Sequence, residues 1–75
     1  MDIKEAVHRL RLLAERETNY TKGALIHLDE ARRLRPPVEF LEVLGKVAHD
    51  ARVHQARADV LREAADILDK EASKP

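Results

Sequence analysis

Apolar residues recur along this chain at steps of three and four. The first series is Ile3, Ala6, Val7, Leu10, Leu13 and Ala14, the spacing of one face of a helix. Asp2 stands where a cap belongs, with Glu5 three residues on, in the manner of a capping box. The next stretch, ETNYTKG, is rich in turn formers. The phase nevertheless runs on through Glu17, Tyr20, Ala24, His27 with Leu28, Ala31 and Leu34. A loop would normally reset it, so the pattern predicts one helix over 3–35. The alternative is a three-helix arrangement with a break near 18–23.

Pro36 and Pro37 end this series, because neither can donate a backbone hydrogen bond and the residue before a proline is pushed out of the helical region. A second series follows: Phe40, Leu44, Val47, Ala51, His54, Ala58, Leu61, Ala65, Leu68, Ala72. Its steps alternate four and three for more than four heptads, which predicts a helix over 38–72. Gly45 lies inside it and is a candidate point of close helix approach. A short connection makes the two helices antiparallel neighbours. The expected fold is therefore all-α, an antiparallel helical hairpin, with residues 1–75 as a single domain. A turn at 36–37 sets residue i roughly opposite residue 73 − i.

The second helix carries another stripe: Val53, Ala56, Val60, Ala64 and Ile67. At about 100° per residue it lies well away from the first. Leu12 and Ile26 also fall off the main face of the first helix. A lone hairpin buries one stripe per helix, so the surplus predicts a partner. The simplest is a second copy, giving a homodimer that closes a four-helix bundle.

Composition strengthens this reading. Seventy-five residues build little core, and the absence of cysteine removes disulfides as a staple. The charge is high and balanced, 14 Lys plus Arg against 14 Asp plus Glu, whereas a polyanion binder usually carries a basic excess. Tyr20 and Phe40 are the only aromatics, too few for base stacking. The N-terminus lacks the continuous apolar region of a signal peptide, and no apolar run is long enough for a membrane span. A cytoplasmic chain is expected.

Candidate chemistry is sparse. Ser73 is the only serine, and no phosphate loop or dinucleotide motif occurs. Glu5 and His8 have the Glu-x-x-His spacing of di-iron bundles, but only once per chain and off the apolar face. Asp50 and His54 are spaced to pair along one helix. No enzymatic activity, cofactor or metal site is expected. His27 and His54 fall on the core stripes. His54 meets Asn19 and Tyr20 across the hairpin, with Glu17 nearby, as a polar core layer of the kind that fixes register. Histidine titrates near neutrality, so such a layer raises the question of pH-sensitive assembly. Arg32, Arg33 and Arg35, with Lys46, form a possible nucleic-acid patch. Cations in a last helical turn are explained equally well by the helix dipole. The function expected is that of a non-enzymatic helical protein that self-associates and binds or regulates a partner protein. A nucleic-acid-binding regulator is the alternative.

Overall fold

A computed structural model describes residues 2–35 and 37–74. The first helix, α1, spans Ile3–Arg33. Asp2 caps it: its Oδ1 accepts from the Glu5 N–H at 2.7 Å. The Glu5 side chain does not close the box but pairs with Arg9 at 3.0 Å, one turn on. The helix runs unbroken through Asn19 to Gly23, so the three-helix alternative does not occur. Within that stretch Thr21 faces the second helix. It is 5% exposed, and its hydroxyl donates to the Glu17 carbonyl of its own helix at 2.9 Å. Its side chain is thereby satisfied without leaving the helix.

The helix stops two residues earlier than the pattern predicted. Arg35 adopts a left-handed conformation, φ 49°, and its N–H turns back to the Arg32 carbonyl at 3.2 Å. This is the geometry that ends many helices, although glycine usually supplies it. Pro36, half of the proline stop, lies outside the described residues. Pro37 opens a 3-10 turn over Val38–Phe40 that runs directly into α2, Leu41–Ala72. Neither start has a side-chain cap. The tight turn instead uses the Phe40 N–H, which donates to the Pro37 carbonyl at 2.9 Å.

The two helices pack antiparallel along a strict seven-residue seam. Buried positions are Val7, Ala14, Thr21 and Leu28 on α1, and Ala51, Ala58 and Ala65 on α2. Between them lie half-buried Leu10, Glu17 and Ala24, and Leu44, Val47, His54, Leu61 and Leu68. The α2 stripe read from the sequence is the seam itself, apart from exposed Phe40 and Ala72 at its ends. On α1 most of the stripe is the seam too, with Val7, Ala14 and Leu28 buried and Leu10, Glu17, Ala24 and Ala31 half-buried. Thr21 takes the place read for Tyr20, which is exposed, and His27, read beside Leu28, is exposed as well. The alanines of α2 are the cause. They let the helices approach until the Thr21 hydroxyl lies 3.4 Å from the Ala51 carbonyl, a space that admits no aromatic ring. Thr21 faces Ala51, Glu17 faces His54 and the Tyr20 ring leans on His54, so residue i stands roughly opposite 73 − i, as the sequence predicted.

Gly45 is not a point of close approach: a Cβ added there meets nothing within 4 Å. The molecule measures 60 × 17 × 14 Å, a slab one helix thick. Solvent reaches the seam from both faces, and among the described residues no large side chain is fully buried.

Candidate functional site

The seam divides the surface into two flanks of unlike chemistry. The first is lined by positions 11, 18, 25 and 32 of α1 and 48, 55, 62 and 69 of α2. Its lower half is tied by polar contacts between the helices. The Arg11 guanidinium lies 3.4 Å from Asp66 and 3.3 Å from Asp69. Arg62 donates to the Thr18 hydroxyl. Its upper half, near the turn, is an open groove of about 460 Å³ with Leu28, Leu41, Leu44 and Ala48 as floor and Arg32 and Arg52 at the rim.

The second flank carries Leu13 and Tyr20 from α1, and Arg57 and Ala64 from α2, with Val53, Val60 and Ile67 beyond. It is apolar and open. Leu13, Tyr20, Val60 and Ile67 are 45–64% exposed. A groove of about 490 Å³ runs along it, lined by Glu17, Val53, Ala56, Arg57, Val60 and Leu61. Leu12 joins Leu13 in a smaller groove between Arg9 and Arg16. Of the stripe read from the sequence, Ala56, Val60 and Ile67 are exposed, and Val53 and Ala64 are half-buried at the edge of the seam.

A polar layer crosses the hairpin at its middle and opens into this groove. The Glu17 carboxylate meets His54 Nδ1, and both side chains are 23% exposed. The Tyr20 ring leans on the imidazole, with centroids 4.0 Å apart and planes inclined by 41°. Three of the four residues proposed for this layer therefore meet. Asn19 is exposed and points away, because position 19 lies on the far side of α1 from the seam. Glu17, one turn before Thr21, takes the place assigned to Asn19. His54 pairs across the hairpin and not with Asp50 on its own helix.

The other histidines stand apart from this layer. His27 is 79% exposed and lies 3.8 Å from the Glu30 carboxylate. His8 and His49 are exposed. Among the described residues no group of three or more His, Cys, Asp or Glu side chains gathers as a metal site. Glu5 is engaged by Arg9. The arginines near the turn are dispersed. Arg33 pairs with Asp29 at 3.0 Å, Arg32 lies over the first-flank groove, and Lys46 projects on the side of Val53, one heptad before it.

Two features escaped the sequence reading. The Arg11 and Arg62 contacts depend on register and leave no local signal. Thr21 was legible in principle, because Val7, Ala14, Thr21 and Leu28 repeat every seven residues in step with Ala51, Ala58 and Ala65. Among the described residues no helix is long and apolar enough to cross a membrane. Comparison with protein-family models, curated proteins and solved structures found no match.

Proposed function

We propose that this chain is a non-enzymatic protein–protein interaction module that self-associates and holds or regulates a partner protein. One observation carries the reading. Thirteen large apolar side chains are at least 45% exposed, while the most deeply buried residues are alanines. A monomer with that distribution leaves most of its hydrophobic driving force unused. The second flank, with Val53, Ala56, Val60, Ala64 and Ile67, is the surface for self-association. The first-flank groove is left for the partner. Its leucine floor and its rim of Arg32 and Arg52 suit an amphipathic segment bearing carboxylates.

Sedimentation velocity at low micromolar concentration tests self-association. The expected result is a single species heavier than the 8.6 kDa chain. A well-folded monomer would overturn the reading. Nucleic-acid binding is the competing function, and balanced charge and the Arg33–Asp29 pair weigh against it. Retardation of DNA or RNA with a steep salt dependence would favour it instead.

A further inference from the structure

Resting on that self-association, we propose that the second flank takes a second copy of this chain about a two-fold axis parallel to the hairpin. In this arrangement α1 lies against the partner's α2 and both turns are at one end. Surface area supports a second copy. The chain exposes 6112 Å², against about 4,700 Å² for a compact monomer of its mass. The excess of about 1,400 Å², spread over the whole elongated hairpin, leaves room for the about 800 Å² that each partner hides in a standard interface.

Angle supports the bundle. The Val53, Val60 and Ile67 stripe, with Arg57 and Ala64, is centred about 100° around α2 from the seam. A helix at the corner of a four-helix bundle meets neighbours about 90° apart. On the first flank Arg11, Arg62 and Asp69 interrupt such a surface along the lower half.

The two-fold sets the register. An axis parallel to the hairpin keeps every residue at its own height, so residue i of one copy stands level with roughly 73 − i of the other. Leu13 then meets Val60 and Tyr20 meets Val53. Both contacts occur twice, as in any isologous interface. The alternative two-fold, perpendicular to the hairpin, sets α2 against the partner's α2 and α1 against its α1, so Leu13 and Val60 do not come together.

The polar layer also becomes complete. Glu17 and Arg57 line the same groove, and the parallel axis gathers two of each at the bundle centre beside the two His54 rings. Two carboxylates then face two guanidiniums, a balanced set for a site losing its water.

The chain has no cysteine, so single cysteines report clean proximities. A mixture of Leu13→Cys chains and Val60→Cys chains is expected to form a mixed disulfide dimer under mild oxidation, while Val60→Cys alone stays largely uncrosslinked. Efficient self-crosslinking of Val60→Cys without the mixed product would overturn the arrangement while leaving self-association intact. Val60→Arg is expected to weaken the dimer at least tenfold by sedimentation, and Leu25→Arg on the first flank to leave it unchanged. The reverse pattern would place the interface on the wrong flank. A monomeric wild-type chain would remove the self-association itself.

Discussion

At position 54 the hairpin places an imidazole where a leucine would pack, and at position 17 a carboxylate opposite it. The pair is specific because each group loses most of its water and finds one partner across the seam. Removing either one leaves the other with its polar atoms poorly solvated, whereas replacing both by apolar groups removes the liability. Glu17→Leu and His54→Leu are each expected to destabilise the protein by about 1 kcal/mol, discounted for residual exposure. The double variant should be at least as stable as either single one. A double-mutant cycle in urea measures the coupling; strictly additive effects would show that the pair contributes nothing. Tyr20 belongs to the same neighbourhood, since its ring covers the imidazole while more than half of it remains in solvent. A second chain on this flank would supply the cover that the hairpin lacks.

At the scale of elements, α2 decides the geometry. Ala51, Ala58 and Ala65 are at most 2% exposed, and their small size sets how closely α1 can lie. Interaxial distance follows the side chains at the contact. The same helix therefore responds to added volume with opposite sign at two places. Gly45→Ala, where an added Cβ meets open space, should stabilise by about 1 kcal/mol through helix propensity. Ala58→Leu must push the helices apart and should cost about 1–3 kcal/mol by overpacking. Thermal or chemical denaturation of the two variants checks both. A neutral Ala58→Leu would mean that the seam is looser than the Thr21–Ala51 contact implies. Helix α1, for its part, is fixed at three points. Asp2 caps its start, Thr21 is answered within the helix, and Arg35 takes the left-handed position at its end.

At the scale of the whole molecule, a slab one helix thick cannot shield its own seam. If a second copy supplies the missing layer, folding and association are one equilibrium, and the thermal midpoint must rise with protein concentration. Melting curves over a hundredfold range of concentration are expected to show that rise; a constant midpoint would mark a monomer. The helices, their antiparallel pairing and the α2 seam were all legible in the sequence, because a period of 3.5 to 3.6 residues is a local property of the chain. The surplus Val53–Val60–Ile67 stripe was legible for the same reason. The helix ends were less so, since Arg35 turns left-handed without the glycine that would announce it. The layer at His54 was read with one wrong member, Asn19 for Glu17's central place, because its composition depends on register. Which side chains touch across the seam, the Glu17–His54 pair and the Arg11 and Arg62 ties on the first flank, was decided only in three dimensions. These contacts depend on how closely the two helices approach, and three alanines set that distance from the opposite helix, thirty or more residues away in the chain.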